Sequence, residues 1–255
     1  MDTKNIVYDN GDKYIGLTKN NKRHPVGIYL TANGDKYEGQ WKDGLKDGKG
    51  TYTFKNGTRY DGQWESDSKH GTGVYIFSNG DGFMGEFKDG AISKGLYRFK
   101  TKDSYEGEFK NALPHGEGVY KFSNGDIYKG EFENGNYNGS GEYLFAEGKG
   151  GYKGNWKDDK RHGDGIQLIG TNAGYQGEWQ NDMRHGEGSA KYPNGDKYVG
   201  SWKEDKRWGK GALQFVNGDV FQGEWKDDTR HGEGVHSFPD GKTEKQTYKN
   251  GHRVG

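Results

Sequence analysis

The sequence predicts an all-β fold: a single-layer, elongated, twisted antiparallel β-meander of about ten tandem β-hairpins. Three observations predict it. A Tyr or Phe followed two residues later by Gly returns every 22 to 24 residues along the 255-residue chain. Two short segments in each interval, as in "YEGQW" and "GKGTYTF", alternate with period two, the mark of strands. Turn formers such as "KDG", "KDD" and "NGD" separate the segments. Repetition at a fixed period governs the architecture ahead of any local preference.

The elements follow in order. A leading half-repeat spans residues 1–13, with Tyr8 six residues before Tyr14 as Phe54 stands before Tyr60. Ten repeats begin at Tyr14, Tyr37, Tyr60, Phe83, Tyr105, Tyr128, Tyr152, Tyr175, Tyr198 and Phe221. Each contributes a first strand of the pattern Tyr-x-Gly-x-Trp and a second of the pattern Gly-x-Gly-x-Tyr-x-Phe. A closing strand, residues 244–255, carries Tyr248 where a Trp would stand. Both ends are altered: Thr18 replaces the first Trp, and Glu244 and Gln246 replace Tyr and Gly in the last strand. Polar caps of this kind stop an array from associating end to end. The fourth repeat is one residue short and reads "AISKG", so a break in register is expected near Ile92 and Ser93.

Parity assigns the faces. The opening ring, the aromatic four residues on and the two second-strand aromatics share one face. Tyr137 and Trp208 fall outside this register and are expected in hairpin loops. Glycines share the aromatic face, where each leaves room for a ring from a neighbouring strand. The opposite face is polar on the first strand, as at Glu38, Gln40, Glu106 and Glu108. On the second it carries scattered apolar residues, notably Val74, Ile76, Ile166 and Leu168.

Composition bounds the function. Hydrophobic residues make up 28% and mean hydropathy is −1.25, values that alone suggest disorder. Aromatics at 15% and 47 glycines argue the reverse, with rings rather than aliphatics supplying the apolar area. Lys+Arg and Asp+Glu both number 38, so no net field draws the chain to nucleic acid. There is no cysteine, hence no disulfide or thiolate metal site. The start "MDTKNIVYDN" has no apolar run of a signal peptide, and the expectation is a cytoplasmic protein.

Catalytic and ligand chemistries find little support. "DGKT" at 240–243 ends like a phosphate-binding loop, but His236 occupies the place of its first glycine. The recurring histidines, such as His162 and His185, lie two strands apart, roughly 10 Å, too far to share one zinc. Turn-stabilising hydrogen bonds suit them better. Asp158–Asp159 and Asp227–Asp228 lie among basic residues and read as solvated turns. No enzyme activity, cofactor or metal is expected.

The pattern "YEGQWKDG…HGxGxYxFxNGD" resembles the MORN repeat across nearly the whole chain. The glycine after the opener is kept in all ten repeats, from Gly16 to Gly223, whereas the histidine is replaced by Asp47, Ile92, Asn138 and Trp208 in four. The resemblance implies a twisted single-layer scaffold. Repeat-only members of that family belong to the cytoskeleton and cilium, radial spoke heads of axonemes among them. The expected function is therefore a non-catalytic interaction module of a cytoskeletal assembly, most simply a ciliary or flagellar axoneme. Its partners would be other proteins of that complex, laid on the aromatic face as a helix or extended segment, or a second MORN protein in a homo- or heterodimer. The expected anchors are Tyr37, Trp41, Tyr60, Trp64, Tyr152, Trp156, Tyr175, Trp179, Tyr198, Trp202 and Trp225, with Tyr137 and Trp208 as loop contacts. The alternative is a peripheral membrane scaffold that binds anionic phospholipid through Lys157, Lys160, Arg161, Lys203, Lys206, Arg207, Lys210, Lys226 and Arg230.

Overall fold

The computed structural model describes residues 3–255, nearly all of them in strands and tight turns. The chain divides into two compact units at Ser123/Asn124. The first holds β1 (Thr3–Val7), β2 (Lys13–Lys19), β3 (Lys22–Leu30), β4 (Lys36–Lys42), β5 (Leu45–Thr53), β6 (Arg59–Glu65), β7 (Ser68–Ile76), β8 (Gly82–Lys88), β9 (Ala91–Arg98), β10 (Ser104–Lys110) and β11 (Leu113–Lys121). The second holds β12 (Ile127–Glu133), β13 (Asn136–Leu144), β14 (Gly150–Lys157), β15 (Lys160–Ile169), β16 (Ala173–Gln180), β17 (Met183–Lys191), β18 (Lys197–Lys203), β19 (Lys206–Gln214), β20 (Val220–Lys226), β21 (Thr229–Ser237), β22 (Thr243–Lys249) and β23 (His252–Arg253). Within each unit every strand pairs antiparallel with its neighbours in sequence, and the meander is not closed into a barrel. The all-β reading therefore holds.

Two turn types alternate. Each hairpin closes through two residues of positive φ, such as Asn20–Asn21, Ser66–Asp67 and Asp158–Asp159. That pair of angles matches the twist of antiparallel strands, and Asn and Asp tolerate it. The turns between hairpins are longer. Phe54 donates its N–H to the Thr58 carbonyl, and Asn56 Oδ1 accepts the Thr58 N–H at 3.0 Å.

A bulge recurs in the hairpins. Gly39 faces Gly50, but the next pair is Trp41 with Lys46, so Gln40 opposes Asp47, Gly48 and Lys49. The bulge leaves the Gln40 carbonyl off the ladder, and the Tyr37 hydroxyl donates to it at 2.8 Å. Tyr60, Tyr105, Tyr128, Tyr152, Tyr175 and Tyr198 make the equivalent bond to the carbonyl three residues on. The short fourth repeat opens with Phe83, which has no hydroxyl. There Ser93 Oγ donates to the Glu86 carbonyl instead, inside a one-residue bulge between Phe87–Ile92 and Glu86–Lys94. The expected break at Ser93 is thus a smaller bulge carrying its own replacement donor.

The core is a row of rings lying on glycine. Tyr37 covers both Gly39 on its own strand and Gly50 on the next; a Cβ on Gly50 would sit 2.3 Å from the phenol oxygen. The room made by glycine serves the ring of the same hairpin rather than only a neighbour's. The rings then meet edge to face in succession. Tyr14, Trp41, Tyr37, Trp64, Tyr60 and Phe87 form such a row in the first unit, at 4.8 to 5.8 Å between centroids. Tyr152, Trp179, Tyr175, Trp202, Tyr198 and Trp225 do so in the second, at 5.1 to 5.5 Å. Edge-to-face contact is the arrangement that ring quadrupoles favour.

Candidate interaction face

The aromatic face was expected to lie open, and it does not. All eleven expected anchors are buried, from Tyr60 and Tyr198 at 0% exposed to Trp64 and Trp156 at 8%. Three interactions close them off. Each tryptophan spans to the preceding hairpin, where its indole N–H donates to a glycine carbonyl: Trp41 to Gly27, Trp64 to Gly50, Trp156 to Gly141, Trp179 to Gly165, Trp202 to Gly188 and Trp225 to Gly211, at 3.0 to 3.3 Å. Second-strand rings such as Tyr52 and Tyr75 lie beside them. Cations then cover successive rings along the row. The Arg161, Arg184 and Arg207 guanidinium carbons stand 4.1 to 4.2 Å from the Trp179, Trp202 and Trp225 ring centroids. Lys46 Nζ lies 4.6 Å from Trp64. Burial lowers the pKa of Lys46 and Lys69, the cost of holding an ammonium against rings. The anchors are therefore structural core, and the layer above them forms the outer surface of this face.

Carboxylates pin that layer at both margins. On the hairpin side, Asp182 Oδ1 accepts from the Arg161 backbone N–H and Nε, both at 3.0 Å. Asp205 does the same for Arg184, and Asp228 for Arg207. Asp159 accepts the Tyr137 N–H at 2.7 Å. Asp159 and Asp228, read from sequence as solvated, are ties between successive hairpins. Arg161 and Arg207, two of the expected phospholipid ligands, are folded over rings and bound to these aspartates. Lys206 Nζ is 3.3 Å from Asp227. Three of the nine expected basic ligands, Arg161, Lys206 and Arg207, are thus paired with carboxylates within the chain.

On the opposite margin, five aspartates each receive a phenol from the second strand of the hairpin they open. Tyr29 donates to Asp12, Tyr52 to Asp35, Tyr97 to Asp81, Tyr120 to Asp103 and Tyr143 to Asp126. The other oxygen accepts a turn N–H some twenty residues on, as from Lys55 to Asp35 at 2.9 Å. Burial first, and the aspartate bond next, push the Tyr52, Tyr97 and Tyr143 phenols up to about 12. The turn N–H from Lys100 and then the Asn79 and Tyr97 side chains hold Asp81 below the usual carboxylate range.

Tyr137 and Trp208 stand in strands β13 and β19, not in loops. Tyr137 takes the position that holds a cation in seven of the other repeats. Its ring stacks on Tyr128 with centroids 3.7 Å apart and meets Trp156 edge-on at 5.5 Å. It is part of the ring row, so the expected loop contact is corrected. Trp208 is half-buried, with Lys203 Nζ 5.0 Å from its ring. Four histidines do not make the expected turn bonds through Nδ1, which is buried without a hydrogen-bond partner in His24, His115, His162 and His231, whereas His70 Nδ1 lies 3.4 Å from Glu65. Among the described residues, no three His, Asp or Glu come together as metal ligands. No helix among them is long and apolar enough to cross a membrane.

A depression of about 670 Å³ lies on the polar face beside the turn at Ala146–Gly148 in the second unit. Ile127, Leu144, Ile166 and Leu168 line it. The apolar residues at 166 and 168 noted in the sequence thus belong to one patch.

Solved structures with similarity to the chain are distant. The G-box domain of the microcephaly protein CPAP is 16% identical, with a TM-score of 0.43, over 79% of this chain and all of that one. The TCP10 domain of Danio rerio CPAP, in complex with a peptide of Danio rerio STIL, is 10% identical with a TM-score of 0.31, over 97% of this chain and all of that one. The TCP domain of Drosophila melanogaster SAS-4 (dCPAP), in complex with a proline-rich motif of Ana2, is 10% identical with a TM-score of 0.35, over 78% and 90%. No curated protein sequence matches the chain. The family model for the MORN repeat matches residues 37–59, 60–82, 105–127, 128–149, 152–168, 175–197, 198–220 and 221–243. MORN repeats are non-catalytic modules, and with most of its length in such matches the chain belongs to the MORN-repeat family.

Proposed function

We propose that this chain is a structural scaffold that holds a segment of a partner protein across its aromatic face, within a cytoskeletal assembly. The observation that carries the reading is the double pinning of that face. Rings, cations and carboxylates are locked by bonds that repeat from hairpin to hairpin, so the surface above them is rigid before any partner arrives. Preorganisation lowers the entropy lost on binding. The anchoring groups are then the half-buried second-strand rings and the cation layer, not the tryptophans beneath. Placement in a ciliary or flagellar axoneme, in the manner of radial spoke heads, rests on the resemblance to repeat-only MORN proteins. Trp208 serves as a second contact on the opposite face. Pairing of Arg161, Arg207 and Lys206 within the chain weighs against an anionic membrane as the main ligand.

The test is site-specific photo-cross-linking in axonemal extract. A benzophenone side chain at Phe54 or Phe215 samples the aromatic face, and one at Ile166 or Val199 samples the other. Protein adducts from the aromatic-face sites are expected, whether or not the polar-face sites also react through the Trp208 contact. Adducts from the polar face alone would overturn the reading. So would binding to anionic vesicles that is lost on neutralising Lys157, Lys160 and Lys203.

A further inference from the structure

Seven hairpins of the chain place an aspartate at the margin where second-strand rings arrive. Five of these carboxylates receive a tyrosine hydroxyl, and Asp219 faces the His236 ring nitrogen at 3.2 Å. Asp196 is the exception among the described residues. The ring position seventeen residues after it is Leu213. Asp196 Oδ1 accepts the Val216 N–H at 3.0 Å and Oδ2 accepts from Asn194 at 2.8 Å, as in the other hairpins, but no phenol completes the set. The preceding hairpin also lacks its second-strand ring, with Ala190 in that place.

Gln167 holds the same place one hairpin earlier, so three successive rings are missing, and a cleft of about 580 Å³ stands at the last of these places, beside Leu213. Tyr192, Asp196, Trp202, Arg207 and Leu213 line it. Leu213 and Trp202 are buried and form its floor. Tyr192 occupies the place that Phe54 and Phe77 hold beside Tyr75 and Tyr97, at 6.5 and 5.6 Å between centroids. The site thus offers an aromatic wall, an apolar floor and one carboxylate oxygen able to accept another donor. A volume of this size lies in the range of ligand pockets.

We infer that this cleft takes a tyrosine side chain from the partner segment, its hydroxyl donating to Asp196 Oδ2 and its ring lying over Leu213 against Tyr192. The inference rests on the scaffold reading above and names the anchor that the face recognises. The chain itself supplies the template five times over. Phenylalanine would fill the same space but leave the carboxylate without its donor. A hydrogen bond to an ionised acceptor is worth more than a neutral one, so discrimination by roughly tenfold between the two rings is expected.

The probe is p-cresol, with 4-methylanisole and toluene as controls, titrated into the full chain. The readout is the NMR signal of the Trp202 indole N–H, which is bonded to Gly188. A saturable shift with p-cresol, about tenfold weaker with either control, supports the site. Equal affinity for cresol and methylanisole, or no saturable shift, overturns it. Leu213→Tyr should supply the missing ring from within, raise the thermal midpoint and abolish cresol binding; Leu213→Met should keep it. If Leu213→Tyr folds yet binds cresol as before, the inference fails. Photo-cross-linking from Phe54 separates the two claims. Adducts undiminished by Leu213→Tyr overturn the tyrosine anchor and leave the scaffold standing. Wild-type protein that binds cresol selectively but forms no adduct keeps the phenol site and overturns the scaffold.

Discussion

Trp179→Leu tests whether the aromatic row is core or contact surface. Trp179 is 3% exposed. Its indole donates to the Gly165 carbonyl at 3.3 Å, its ring meets Tyr152 at 5.4 Å and Tyr175 at 5.1 Å, and Arg161 covers it at 4.1 Å. Leucine keeps an apolar group and loses the rest. The bond contributes about 1 kcal/mol and each edge-to-face pair roughly 0.5–1.5 kcal/mol. The half-buried guanidinium adds about 0.5–1 kcal/mol. These terms overlap with burial, and core tryptophan truncations cost about 3–5 kcal/mol in all. A loss of about 2–4 kcal/mol is expected in urea unfolding of the full chain, discounting the retained leucine. Trp179→Phe is the control. Phe87, Phe109 and Phe132 occupy this place in three other repeats, so the ring contacts survive and only the donor is lost, at about 1 kcal/mol. A Trp179→Leu protein destabilised by less than about 1 kcal/mol would refute the core assignment. It would return the tryptophans to the role of free anchors.

Four further outcomes follow from the same geometry. Gly50→Ala forces a Cβ to 2.3 Å from the Tyr37 hydroxyl and 2.5 Å from its Cζ, so calorimetry should show a loss of about 3 kcal/mol or more as the ring is displaced. Ala112 sits at φ 60° in a hairpin turn; Ala112→Gly removes that strain and should stabilise by about 1 kcal/mol in urea. Buried phenols with raised pKa, Tyr52, Tyr97 and Tyr143 among them at about 12, keep their stabilising effect below the ordinary phenol value near 10 and lose it as pH climbs to about 12; phenolate absorbance and unfolding should therefore rise together in that window. Trp208→His restores the common residue of that position. With the ring only half-buried, circular dichroism should change by little, while polar-face contacts in extract weaken.

Parity carried the sequence further than composition did. The alternation of Tyr37, Gly39 and Trp41 against Gly50 and Tyr52 set strand, pairing partner and face, because a period of two leaves no freedom in which side a residue occupies. It did not set exposure. That a one-layer sheet leaves one face open is the simple inference, and it fails because the rings pack sideways along the sheet rather than across it. The signal was present in the glycines. A position kept free of Cβ on each side of Tyr37 is a position where a ring lies down, and a ring lying on its own backbone is half covered before anything else arrives. Tyr137 shows the same gap. It stands nine residues after its opener, the parity of the paired glycine and of the second-strand ring. Arg23, Lys46, Lys69, Arg161, Arg184, Arg207 and Arg230 stand at that same offset. Read as a column, the offset announces a cover over the row, and Tyr137 is its aromatic member.

The recurring aspartates were the least legible part, since in sequence a charged turn residue looks the same whether water or the next hairpin takes its oxygens. Asp35 and Asp182 bond groups about twenty residues away, one period on, and no local pattern marks that reach. Only the period itself does. In an array where each hairpin contacts the next, any polar residue that recurs with the repeat has a neighbour of fixed identity one unit along, and its bonds are inter-repeat by default. The useful residues are then the exceptions. Ser93 appears where Phe83 has lost its hydroxyl, and it compensates within the chain. Leu213 appears where Asp196 keeps its carboxylate, and nothing in the chain compensates. A broken column with an internal remedy is structural drift; a broken column that leaves a carboxylate without its phenol and facing a cleft is where an outside group belongs.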